Sequence, residues 1–184
     1  MTIDSILWRR LDTPGHDACR LERHDAGWVL EGTAVFLENG LPARLDYRIL
    51  ADPEWVTRQG HVHGWLGGQG VDLRIIRRSD GLWMLNGAAV PALEANHDLD
   101  LSFTPATNLL QLRRVSMEEG EVTDLPVAWL DVPSATLRNL PQRYERRSHS
   151  NYWYEAPSVG YQGLLEVHPN GFILRYPELW EAES

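Results

Sequence analysis

The chain has 184 residues, 43% of them hydrophobic and 23% charged, which suits a single soluble globular domain over 1–184 with a sizeable core. Its net charge of -9 and pI near 5.2 argue against a nucleic-acid backbone as partner and against general attraction to anionic membranes. All 17 basic residues are Arg, which excludes Schiff-base and other lysine-dependent catalysis and leaves guanidinium groups, suited to carboxylate and phosphate, as the permanent cations.

The N-terminal segment MTIDSILWRRLD lacks a basic region followed by an apolar run, so no signal peptide is expected. No stretch reaches the ~20 apolar residues of a membrane helix, so no integral membrane association is expected. Cys19 is the lone cysteine, which rules out an intrachain disulfide and reads as a small core residue. The expected compartment is the cytoplasm.

Along the chain, short strands alternate with turn signals. Ala34–Leu37 is apolar at every position, which predicts a strand covered on both faces. Asn39-Gly40 then marks a hairpin turn. Leu45, Tyr47 and Ile49 alternate with Arg44, Asp46 and Arg48, the period of a half-buried strand. Gly67-Gly68-Gln69-Gly70 has no G-K-[ST] ending and leads into the alternating strand Val71–Ile76, so it is a hairpin loop rather than a phosphate loop. Asp80-Gly81 and Asn86-Gly87 mark further hairpins. Ala92–Asn96 is a weak helix candidate. Leu99, Leu101 and Phe103 alternate with Asp98, Asp100 and Ser102, and there the period changes. Thr104 is placed to cap a short helix, with Pro105 at its first position and Leu109, Leu110 and Leu112 toward the core. Ala128–Leu130 and Phe172–Leu174 are again apolar throughout, the latter after the turn His168-Pro169-Asn170-Gly171. The whole reads as about ten to fourteen strands in an all-β domain. Doubly covered strands require a sheet that curls over inner strands. The segments Trp28–Tyr47 and Trp153–Tyr176 echo each other, as common hairpin grammar also explains.

Candidate chemistry is sparse. His61-Val62-His63 sets two imidazoles on one strand face, half of a metal site if a third ligand joins; nothing in the spacing recruits His16, His24, His97 or His149, and no metal is expected. No G-x-S-x-G elbow is present. Eight Trp spread over the chain suit core and rim packing for most of them, or a platform for sugars. Four Arg-Arg pairs (Arg9-Arg10, Arg77-Arg78, Arg113-Arg114, Arg146-Arg147) place neighbouring guanidinium groups on opposite strand faces. Surface pairing with acidic side chains is favoured over inward-facing cations that would meet an acidic head group.

Several segments resemble the bacterial glycolipid-binding family formerly called a domain of unknown function: WRRLDTPGHDACRL, GWVLEGTAVF, PARLDYRI, WVTRQGHVHGW, LWMLNG, DLDLSFTPATNLLQLRR, QRYERR and GFILRYPELWEAE. They run in order over nearly the whole chain, and F-T-P-A-T-N-L-L is the most specific. Family members often carry Pro where this chain has Gln111, so the helical turn is expected to run further here. The resemblance implies a spiral β-roll with one or two short helices, and a lipid or glycolipid ligand without a cofactor. On that footing the expected function is non-enzymatic binding of an apolar group in the roll interior. Trp65, Trp83, Phe103, Asn108, Arg113 and Tyr144, from the family-like segments, are the expected ligand contacts. The alternatives are an enzyme using His16, His97 or the Asp98/Asp100 pair, recognisable if these groups converge in one cleft, and a structural or interaction protein with a filled interior.

Overall fold

The computed structural model describes residues 3–183. The first half is a meander of long strands: β1 (Ile3–Arg10), β2 (Gly15–His24), β3 (Gly27–Glu38), β4 (Leu41–Ala51), β5 (Thr57–Leu66) and β6 (Gln69–Arg77). Asn39 (φ 52) and Gly40 (φ 78) take the left-handed backbone that the β3–β4 turn requires. Strict alternation fixes the register, because a slip of one residue would turn every core side chain to water. Leu45, Tyr47 and Ile49 accordingly lie inside, at 0–2% exposure.

The chain continues through β7 (Trp83–Leu85), β8 (Ala88–Val90), β9 (Leu99–Leu101) and α1 (Asn108–Arg114). Then follow β10 (Val122–Asp124), β11 (Val127–Asp131), β12 (Thr136–Leu140), β13 (Arg143–Arg146), β14 (Asn151–Ala156), a 3-10 turn at Pro157–Val159, β15 (Tyr161–Val167), β16 (Ile173–Tyr176) and β17 (Trp180–Ala182). Fourteen of these strands form one antiparallel sheet in the order β10-β13-β14-β15-β16-β17-β1-β2-β3-β4-β5-β6-β7-β8. The β17–β1 pairing joins its two runs of strands, with Trp8 facing Ala182 and Arg10 facing Trp180. The sheet does not close; it curls around a second sheet, β12-β11-β9, in which β9 and β11 run parallel. This is the spiral β-roll, all-β with a single short α-helix among the described residues.

The inner sheet is the doubly covered layer. Leu99, Val127, Ala128 and Leu130 are all at 0% exposure, as expected of Ala128–Leu130. Phe172 and Ile173 are also buried, at 1%. Ala34–Leu37 is a correction: Val35 is 53% exposed, because β3 belongs to the outer sheet and has one face in water.

Three further expectations change. Among the described residues seventeen strands stand in place of ten to fourteen, because the second half is cut into strands of three to seven residues. Ala92–Asn96 is a turn rather than a helix. The helix begins at Asn108 rather than at Pro105. The Thr104 hydroxyl does accept a backbone bond, from the Ala106 N–H at 3.0 Å. The next turn is tight, closed by N–H groups of Asn108, Leu109 and Leu110 on the carbonyls three residues back. Leu109 and Leu110 are buried, and Leu112 is half-buried.

Candidate functional site

The outer face of β1–β5 is built from rows of residues that face one another across the strands. Ser5 pairs with Arg20, Arg20 with Glu31, Glu31 with Arg48 and Arg48 with His61. The adjacent row runs Ala18, Thr33, Asp46, His63. The next row runs His16, Val35, Arg44, Trp65. Because side chains on one strand face repeat every second residue, all three rows point away from the core. Between the first two lies a groove of about 590 Å³, spanning five strands. Small residues, Ala18 and Gly32, form its floor.

Charge alternates along the groove. The Glu31 carboxylate accepts from Arg20 Nε at 2.6 Å and from Arg48 Nε at 3.2 Å. Those bonds, Arg20 first, hold it below the usual carboxylate range. Thr33 Oγ1 donates to Asp46 Oδ1 at 2.8 Å. His61 Nε2 lies 2.7 Å from Asp72 Oδ1, which holds that carboxyl down. The imidazoles of His61 and His63 lie 5.0 Å apart. No group of three or more metal-ligating side chains forms among the described residues. The groove therefore offers alternating donors and acceptors near water, with Trp65 (38% exposed) and Val35 at its side.

Beneath the groove floor the inner face carries a different polar group. Asp17 is fully buried. It accepts from the Tyr47 hydroxyl at 3.0 Å and from the Thr104 hydroxyl. Burial pushes its carboxyl up to about 6, against the pull of those two hydroxyls. Gly32 makes this packing possible, since a Cβ there would lie 2.4 Å from the Tyr47 hydroxyl.

The inner sheet holds two more carboxylates. Asp98 and Asp100 read from the alternation as facing water; they are 0% and 8% exposed. The reason is the second cover: the enclosed sheet has no solvent face, so each acid has its own partner. Arg114 grips Asp98 through Nη2 at 2.7 Å and Nε at 3.1 Å. Gln142 Nε2 donates to Asp100 at 2.8 Å, and burial pushes Asp100 up to about 6.

The six residues expected to meet a ligand divide among separate places. Asn108 and Tyr144 come together, Asn108 Nδ2 donating to the Tyr144 hydroxyl at 2.8 Å, and both are buried. Phe103 packs against Phe36 and Tyr47, with centroids 6.3 and 5.8 Å away, and borders a cleft of about 130 Å³ that Arg10 also lines. Trp83 is fully buried, its Nε1 donating to the Asn96 carbonyl at 3.2 Å. Arg113 is exposed and lies over the Trp55 ring, 5.1 Å from its centroid; Trp55 in turn stacks on Trp28 at 4.1 Å. Trp65 alone of the six stands beside the groove. Among the groups suggested for catalysis, His16 and His97 are exposed and Asp98 and Asp100 buried, so the four share no cleft. Inward guanidinium groups do occur, at Arg77 and Arg114, against the expected surface pairing. Arg77 is 9% exposed and Arg114 holds a buried carboxylate. Cys19 is buried, as expected of a small core residue.

Sequence reading missed Arg20, Glu31, Thr33, Asp46 and Arg48 as a set. Their signal is the outward phase of each alternating strand, read across the hairpin registers.

The chain matches the model of a family described as "Putative glycolipid-binding" over residues 5–182. The crystal structure of a DUF1089 family protein from Pseudomonas aeruginosa is similar, with a TM-score of 0.80 and 26% identity over 91% of each chain. No curated protein matches. With the family model covering almost all of its length, and the roll shared with that structure, the chain belongs to the family described as "Putative glycolipid-binding".

Proposed function

We propose that the protein is a non-catalytic binder of a sugar-bearing lipid, with the sugar laid in the outer groove of β1–β5 and the apolar part against Val35 and Trp65. The groove carries this reading. Its volume of about 590 Å³ falls within the ~300–1,000 Å³ of small-ligand sites. Sugar hydroxyls both donate and accept, and the lining alternates guanidinium, carboxylate, hydroxyl and imidazole groups.

Volume supports this groove over the smaller cleft beside Phe103. The cleft that Phe103 borders has about 130 Å³. That is the size of a cavity that takes one benzene, ~150 Å³, and too small for an acyl chain. The inward side chains of the roll, from Trp8 through Trp180, meet in one contiguous apolar cluster. The scatter of His16, His97, Asp98 and Asp100 supports binding over catalysis.

Native mass spectrometry of gently purified protein tests the reading. Co-purified glycolipid is expected on wild type and lost from Trp65→Ala and Arg48→Ala. Repeated preparations without any bound sugar-bearing lipid, and no uptake of added glycolipid, would refute it.

A further inference from the structure

Beside the outer groove lies a smaller one of about 260 Å³ on β4–β6. The strand registers give it two unlike walls. Arg48, His61 and Arg74 face one another in one row, and Leu50, Gln59 and Ile76 in the next. Arg48 and His61 line both grooves, so the two are continuous.

The smaller groove is one-sided in charge. Its lining holds two guanidinium groups and an imidazole and, among the described residues, no carboxylate. The acids near these cations stand in the rows of the larger groove: Glu31 lines it, and Asp72 faces His63. Neither acid uses up the donors. Arg48 gives Glu31 its Nε at 3.2 Å, which leaves both Nη groups. Arg74 Nε lies 3.7 Å from Asp72 Oδ1, beyond hydrogen-bond reach. The Arg74 side chain is 69% exposed, so its donors are open to a ligand.

The facing wall is apolar, with Ile76 47% exposed and Leu50 half-buried. Hydrocarbon beside a cation displaces the water that screens it and strengthens its pull on an anion. Position sets the order along a ligand. Trp65 and His61 share a face of β5 four residues apart, ~13 Å along the strand. A lipid with its apolar part at Val35 and Trp65, and its sugar across the rows between, brings its far end to Arg48, His61 and Arg74.

Building on the groove reading, we propose that the bound glycolipid is acidic, with an oxyanion on its sugar seated in the smaller groove against Arg48, Arg74 and His61. A planar guanidinium offers two parallel N–H donors to a carboxylate or a phosphate. The same chemistry would meet a free anion, so the test separates the two sources.

The test is calorimetric titration of the full-length protein with octyl glucoside, octyl glucuronide and free glucuronate, the alkyl glycosides below their micelle concentrations. The glucuronide is expected to bind about tenfold more tightly than the glucoside, and the preference to shrink in 1 M salt. Arg74→Gln gives up no hydrogen bond in the free protein and should bring the preference close to parity. Arg143→Gln, on β13, should leave it as in wild type. Equal binding of the two alkyl glycosides, or a preference kept by folded Arg74→Gln, overturns the acidic subsite and leaves the groove. Free glucuronate binding as tightly as octyl glucuronide assigns the cations to a soluble anion and overturns the lipid source. If neither alkyl glycoside binds, the groove falls and this inference falls with it.

Discussion

The outer face of β1–β5 and the three-stranded sheet inside it carry the same residue types in opposite surroundings. Outside, Arg20, Glu31 and Arg48 form a chain of charges at the edge of water, where each pair is screened and replaceable. Inside, Asp98 and Asp100 have no water to fall back on, and depend on side chains such as Arg114 and Gln142. The contrast teaches where this protein can afford change. The outer rows are free to be shaped for a ligand, while the inner acids are fixed by the fold.

The strongest way to break that contrast is Asp98→Ala. It leaves Arg114 without its carboxylate, and the expected loss is about 3–5 kcal/mol in urea unfolding. A loss below about 1 kcal/mol would show that the inner pair behaves like an outer one.

Next in size is pH. Asp17 and Asp100 have folded values of about 6 against 3.8 unfolded. The native state therefore holds more protons between pH 4 and 6. The contribution of these two groups to stability is greatest below about pH 4 and declines as pH rises to about 6, by about 3 kcal/mol each at most. The difference in urea midpoint between wild type and Asp17→Asn or Asp100→Asn, followed from pH 4 to 7, should trace that decline. The outer carboxylate Glu31 has the opposite sign, its stabilisation being lost as pH falls.

Gln111 sharpens the comparison from another side. It is 0% exposed, and neither its side-chain nitrogen Nε2 nor its side-chain oxygen Oε1 has a partner in the protein. Gln111→Leu should stabilise by about 1–3 kcal/mol, the desolvation penalty of an unpartnered polar group. Destabilisation would mean that the amide is satisfied. The smallest effect belongs to the outer face: Glu31→Gln should move Tm by about 2 °C or less and by nothing measurable in 1 M salt.

Alternation made β4 and β6 legible, because each has one dry and one wet face. It failed at Asp98 and Asp100 for the same reason. A strand inside a second cover keeps its alternating acids if each finds a partner, and Arg114 and Gln142 lie 16 and 42 residues away in sequence. Val35 shows the converse: an apolar residue at an outward position looks in sequence like part of a buried run. The doubly apolar run Ala128–Leu130 pointed to a sheet curled over inner strands, and the resemblance to a known family specified that curl as a spiral roll. Of the groove's surroundings, Trp65 was named through the family-like segment WVTRQGHVHGW, and His61 and His63 as an imidazole pair on one strand face. The charged rows were not, since they exist only when five strands stand in register.

The most direct measurement is a titration of the ¹³C-labelled His and Phe side chains with a short-chain alkyl glucoside below its micelle concentration. The groove account predicts saturable shifts at His61 and His63, with Phe103 and Phe172 unmoved. Saturable shifts at Phe103 with His61 and His63 silent would place the ligand in the interior and contradict it.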